Sequence, residues 1–175
     1  MINILLKQDR RLFHVNDLAL LWNISNRDTL RQTIARYIKK GVLIQIHRGF
    51  YSVLPLDELD PFELGTSLIH DFCYVSTETV LTLNGIIFQQ IVGHTLCCSK
   101  SMKVKVRDQM FFCRKLADKY LYNPFGIVDR GKYKIATVER AIADMQYFNP
   151  RYYFDADSSI DWKKVSETKK EVYNL

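Results

Sequence analysis

The stretch from Asn26 to Val53, NRDTLRQTIARYIKKGVLIQIHRGFYSV, restricts what this chain can fold into more than any other. Leu30, Ile34, Tyr37 and Ile38 recur at three- and four-residue spacing, which puts them on one face of a helix from Arg27 to Lys40. Asn26 stands where a side chain can cap that helix, and Gly41 stands where a left-handed residue ends one. The next residues change period. Val42–Ile46 and Phe50–Val53 read as two strands joined by the short link His47-Arg48-Gly49, a hairpin with a basic, glycine-ended tip.

The residues before Asn26 fit the same unit. Ile2, Leu5 and Leu6 give residues 2–8 an apolar face, Leu12–Val15 form a brief extended lead-in, and Asn16 can cap a helix over 17–22 carrying Leu18, Leu21 and Trp22. Asn23, Ile24 and Ser25 supply a turn. Two short helices joined by a tight turn, the second longer and more basic, form a helix-turn-helix, and the hairpin behind it makes the arrangement winged.

On that second helix the face opposite the apolar stripe holds Asp28, Gln32, Ala35, Arg36 and Lys39, with Arg31 on a flank. Arginine and glutamine side chains pair in bidentate fashion with guanine and adenine edges in the major groove, so Gln32 and Arg36, with Arg31, are candidate base contacts. Arg27, Lys39 and Lys40 suit phosphates, which position a protein without specifying sequence. His47 and Arg48 at the hairpin tip can reach phosphates or the minor groove. Without a nucleic acid the same residues are a solvated, charged helix face and a turn in water.

The charge distribution gives the binding reading its weight. The chain of 175 residues carries a net charge of +6. Residues 1–53 hold nine Lys/Arg against three Asp/Glu, while residues 54–175 hold sixteen of each. The whole excess therefore lies in the first third, as expected of a polyanion-binding head joined to a neutral body. With 47% apolar and 25% charged residues, both parts should fold. Apolar runs are too short to span a bilayer, and MINILLKQDRR lacks the pattern of a secretory leader, so the expectation is a cytoplasmic chain with no membrane partner.

The body begins after the proline-bearing joint LPLDELD, which divides an expected winged helix-turn-helix domain (1–54) from an α+β domain (60–175). Asp60 and Pro61 can open a helix to about Ile69. Phe72–Val75 read as a strand, Ser76 as a cap, and Thr77–Asn84 as a helix closed by Gly85. Thr95–Ser99, Lys103–Arg107 and Met110–Leu116 are strand-like runs with short links and predict an antiparallel sheet. Tyr133–Ala136, a Thr137 cap and the helix VERAIADMQYF follow, then a polar tail and a last helix over Asp161–Tyr173.

Three stretches in this order, DLALLWNIS…LRQTIARYIKKGVLIQIHRGFYSV, YVSTETVLTLNGII and IATVERAIADMQYF, resemble the AbiEi family, the antitoxins of a type IV toxin–antitoxin system. The correspondence runs over about residues 10–150 and includes Leu18, Ile34, Gly41, Leu43, Arg48, Gly49 and Tyr51, with Glu139 and Asp144 at the acidic positions of the third stretch. The resemblance implies a transcriptional regulator that binds double-stranded operator DNA and represses its own operon. It also implies a C-terminal domain that antagonises a nucleotidyltransferase-like toxin. Standalone regulators of the same architecture fit equally well. A homodimer on DNA is compatible with the winged class, although no dimer seam is legible.

Other chemistries find little support. Gly126-Ile127-Val128-Asp129-Arg130-Gly131-Lys132-Tyr133 approaches a phosphate-binding loop, but Tyr133 stands where Ser or Thr must hold Mg²⁺ and a strand follows where a helix should, so a hairpin turn is expected. The alternative function is a DNA-binding head on a metal-dependent nuclease or other DNA-processing domain. That would need clustered carboxylates, and Glu139 and Asp144 lie five apart on a helix, while Glu167-Thr168-Lys169 falls in the tail. Cys73, Cys97, Cys98 and Cys113 lack ligand spacing and read as reduced, buried thiols. No catalytic set, metal site or cofactor is expected.

Overall fold

The computed structural model describes residues 2–175, apart from the side chains of Ile2 and Leu6, so those two members of the expected N-terminal apolar face lie outside the described side chains. The chain is an α+β protein that divides into two compact units, Met1–Asp60 and Pro61–Leu175. No helix among the described residues is long and apolar enough to cross a membrane.

The first unit runs α1 (Ile2–Leu6), β1 (Leu12–His14), α2 (Val15–Trp22), α3 (Arg27–Lys39), β2 (Ile44–His47) and β3 (Phe50–Ser52). The lead-in expected over Leu12–Val15 is a true strand: β1 pairs antiparallel with β3, and the sheet order is β1-β3-β2. This shifts the start of α2. The helix begins at Val15 with His14 as its cap residue, not at Asn16, because the His14 N–H donates to Asp17 Oδ2 (2.8 Å) at the third helical position. Leu5, Phe13, Leu18, Trp22, Leu30, Ile34, Tyr37 and Leu43 form the core, with the Trp22 and Tyr37 rings 5.1 Å apart. Burying each of the larger side chains stabilises the unit by about 1.5–3 kcal/mol.

The second unit is built on a six-stranded sheet in the order β6-β7-β5-β4-β9-β8. Its strands are β4 (Cys73–Val75), β5 (His94–Cys98), β6 (Met102–Val106), β7 (Gln109–Lys115), β8 (Ile127–Asp129) and β9 (Lys134–Ala136). Its helices are α4 (Pro61–Leu68), α5 (Glu78–Leu83), α6 (Asp118–Leu121), α7 (Val138–Phe148) and α8 (Trp162–Tyr173). The expected antiparallel sheet is in fact mixed: β4–β5, β6–β7 and β8–β9 are antiparallel, whereas β4–β9 and β5–β7 are parallel.

The difference comes from β7, which lies between β5 and β6. The link Ser99–Ser101 is long enough to cross two strand spacings of about 4.8 Å each. The apolar run Met110–Phe112 then takes an interior place, while Met-Lys-Val-Lys-Val of β6 takes the edge, where lysines guard against further pairing. The segment Gly126–Tyr133 forms β8 and the turn into β9, with Ile127 opposite Ala136 and Asp129 opposite Lys134.

Helices cover both faces of this sheet. On one, α4 approaches so closely that a Cβ at Gly65 would lie 2.5 Å from Phe111 Cδ1. On the other, Asp144 of α7 collects a polar network in the core. Its Oδ2 accepts from Tyr74 Oη (2.9 Å), Ser76 Oγ (2.7 Å) and Cys97 Sγ (3.7 Å). Its Oδ1 accepts from Arg140 Nε (2.8 Å) and the Tyr173 hydroxyl. The remaining Arg140 donors reach the Asn123, Phe125 and Tyr120 carbonyls and Tyr74 Oη, so every guanidinium N–H is used.

Ser76 is thereby diverted from capping, and Thr77 stands at the start of α5 with φ 52° and ψ −131°, an uncommon backbone for a β-branched residue. Burial, with Cys97 and Asp144 nearby, holds the Tyr74 phenol well above its ordinary range, and burial does the same for Tyr173 and Cys97.

Candidate nucleic-acid interface

The outward face of α3 is set by how the helix begins, packs and stops. Asn26 Oδ1 accepts from the N–H groups of Asp28 (3.0 Å) and Thr29 (2.9 Å), satisfying two of the free donors at the helix start. At the other end Gly41 takes φ +70°, its N–H donates to Ile38 O (2.9 Å), and the Val42 N–H donates to Tyr37 O (3.0 Å). This pair of bonds is a Schellman stop, and it turns the chain directly into β2. Leu30, Thr33, Ile34 and Tyr37 are buried; Thr33 is a member of this face that apolar periodicity alone does not reveal.

That orientation leaves Arg27, Arg31, Gln32, Arg36 and Lys39 of the helix and its C-cap residue Lys40 exposed. At 100° per residue, Asp28, Gln32, Ala35 and Lys39 form a central row within roughly 60° of one another. Arg27 and Arg31 run along one side of that row and Arg36 and Lys40 along the other, each pair four residues apart. The acidic member of the face is offset locally, since Arg31 Nη1 lies 3.8 Å from Asp28 Oδ1 with both side chains exposed. Arg36 Nη2 reaches Thr33 Oγ1 at 3.4 Å, a weak tether that leaves the guanidinium exposed.

The hairpin tip is held by backbone. β2 and β3 are joined through Arg48 and Gly49, with a bulge between Gln45 and His47, and Gly49 has φ +73°. The Val15 N–H donates to Gly49 O (2.9 Å), tying the turn to the first residue of α2. His47 and Arg48 are exposed. All eight residues read from the sequence as candidate contacts therefore lie at the surface of one unit, five on α3, Lys40 at its C-cap and two at the hairpin end.

Arg10 and Arg11 were not among the candidates, and they sit immediately before β1. Arg10 pairs with Asp17 (3.1 Å) and lies over the Phe13 ring at 5.6 Å, so its charge is already engaged. The Arg11 carbonyl accepts from the Val53 N–H.

The second unit shows where the acidic residues of the family-like stretches go. Asp144 is fully buried and accepts five hydrogen bonds, while Glu139 lies in the first turn of α7. Among the described residues no group of three or more His, Cys, Asp or Glu side chains is placed to hold a metal ion. All four cysteines are free and buried. No protein-family model matches this chain, and no curated protein matches it either.

Proposed function

We propose that the first unit is a winged helix-turn-helix that reads double-stranded DNA, and that the chain is a sequence-specific transcriptional regulator. The observation that carries this reading is the exposed face of α3, with a Gln32–Ala35–Lys39 row flanked on both sides by basic pairs. A helix lying in the major groove has base edges beneath its central row and a phosphate backbone along each side. Gln32 then faces bases, with Arg36 and Arg31 able to reach either a guanine edge or a phosphate. Arg27, Lys40 and the hairpin residues His47 and Arg48 contact phosphates or the minor groove, and Lys39, the last residue of α3, contacts a phosphate where the end of the row leaves the groove.

The resemblance to AbiEi antitoxins extends the proposal to autorepression and to antagonism of a nucleotidyltransferase-like toxin. One feature of the second unit bears on that extension. Tyr74 and Ser76 from YVSTETVLTLNGII, and Arg140 and Asp144 from IATVERAIADMQYF, meet in one buried network, which accounts for these stretches as framework. A gel shift with the DNA upstream of the chain's own coding sequence tests the regulatory reading. The expected result is a retarded band that survives excess non-specific competitor; loss of the band at modest competitor would refute sequence reading. For the antitoxin part, a neighbouring nucleotidyltransferase whose toxicity is suppressed by co-expression is the expected outcome.

A further inference from the structure

The second unit contains a cavity of about 610 Å³, within the range of small-molecule sites. Its apolar wall includes Ile91, Met102 and Phe112, and its polar side includes Glu78, Arg114 and Tyr152. Arg114 is held by protein groups on three sides. It donates to Glu78 Oε1, lies 3.9 Å from Met145 Sδ, and stands 5.4 Å from the centre of the Phe148 ring.

Glu78 is only half engaged. Its Oε2 is buried and has no hydrogen-bond partner among the described residues. Buried carboxylate oxygens are ordinarily matched by donors, and this one lines a cavity large enough to bring a donor in. The residue just before it, Thr77, adopts a left-handed φ of 52°, and strain of this kind is concentrated where a neighbouring side chain must be held in a set direction.

We propose that this cavity binds a neutral, planar heterocycle carrying a ring N–H, with the N–H donating to Glu78 Oε2 and the ring lying against Phe112, Met102 and Ile91. Neutrality follows from Arg114, which already balances the Glu78 charge, so the carboxylate requires a donor and not a second cation. An anion would be repelled by the unpartnered Glu78 Oε2 itself. Burial and the nearby Glu78 carboxylate hold the Tyr152 phenol above its ordinary range, so its hydroxyl stays neutral beside the ligand. The site lies wholly within the second unit and stands whether or not the first unit reads DNA.

The test uses indole and its isostere benzofuran, in which oxygen replaces the N–H, titrated into the full-length chain and followed by amide chemical shifts. Indole should shift Glu78, Ile91, Phe112 and Arg114 and bind at least tenfold more tightly than benzofuran, because a site built around a hydrogen bond rejects the analogue that lacks it. In Glu78→Gln that preference should collapse. Met102→Trp, at a partly exposed position on the edge strand, should fill the cavity and abolish binding of both probes while leaving the circular dichroism spectrum unchanged. Equal binding of the two probes to the wild-type chain, or no shift of cavity residues at millimolar indole, overturns the proposal.

Discussion

Arg140 Nε lies 2.8 Å from Asp144 Oδ1, one turn apart on α7, with both side chains fully excluded from water. A pair this deep is tolerable only because its neighbours complete it: Tyr74, Ser76, Cys97 and Tyr173 on the acid, and three backbone carbonyls with Tyr74 on the base. Removing one partner leaves an uncompensated buried charge, which costs about 3–5 kcal/mol. Arg140→Met should lower the stability of the second unit by that amount in urea unfolding. Arg140→Met combined with Asp144→Leu should recover part of the loss, since the stranded carboxylate is then gone.

The same network makes the unit sensitive to alkali. Tyr74, Tyr173 and Cys97 all hold their protons more firmly in the folded chain than exposed groups do, chiefly because of burial. Their contribution is complete below the ordinary thiol and phenol range. Above it the unfolded chain loses protons that the folded chain keeps, so stability falls as pH rises. From about pH 9 upward the decline should steepen toward roughly 1.4 kcal/mol per pH unit for each such group. Urea midpoints measured between pH 7 and pH 11 check this, and Tyr173→Phe should flatten the slope.

Close packing between α4 and β7 gives a prediction free of electrostatics. A Cβ at Gly65 would meet the Phe111 ring at 2.5 and 2.6 Å, and Phe111 is fully buried, so the ring cannot swing into solvent. Gly65→Ala should therefore destabilise by about 1–3 kcal/mol despite the better helix propensity of alanine. Gly65→Ala with Phe111→Leu should be closer to wild type than the single change, as measured by thermal unfolding.

The start of α3 can be weakened without touching its outward face. Asn26 caps two backbone N–H groups, so Asn26→Ala should cost the first unit about 0.5–2 kcal/mol. At temperatures where the unit remains folded, DNA affinity should change little. A large loss of affinity in a folded Asn26→Ala variant would point to a contact that the candidate interface does not contain.

Local signals carried the parts that local physics decides. The Asn26 cap, the Gly41 stop and the Thr137 cap of α7 each depend on a few adjacent residues, and the structure places them as read. The hairpin link is one residue shorter than the expected His47-Arg48-Gly49, because His47 pairs with Phe50 as the last residue of β2. The order of the large sheet depends instead on pairings across many residues. Whether Ser99–Ser101 closes a hairpin or skips a strand is decided by which of β6 and β7 deserves burial, a comparison that no single window contains. The reading of Ser76 as a cap fails for a related reason. A serine before a helix reads as a cap, until the fold brings its hydroxyl within 2.7 Å of the Asp144 carboxylate. The exposed basic face of α3 was legible because burial of the opposite stripe is itself a local, periodic property.

The most direct measurement of the central claim is fluorescence anisotropy of the chain on its upstream DNA, repeated over a range of salt for wild type, Gln32→Ala, Lys40→Ala and Arg48→Ala. The account predicts that Gln32→Ala weakens the cognate site by about 1–3 kcal/mol while leaving random DNA unchanged. Lys40→Ala and Arg48→Ala should weaken both DNAs alike and reduce the salt slope by about 0.9 each. Affinities and slopes that are the same for all four proteins would contradict it.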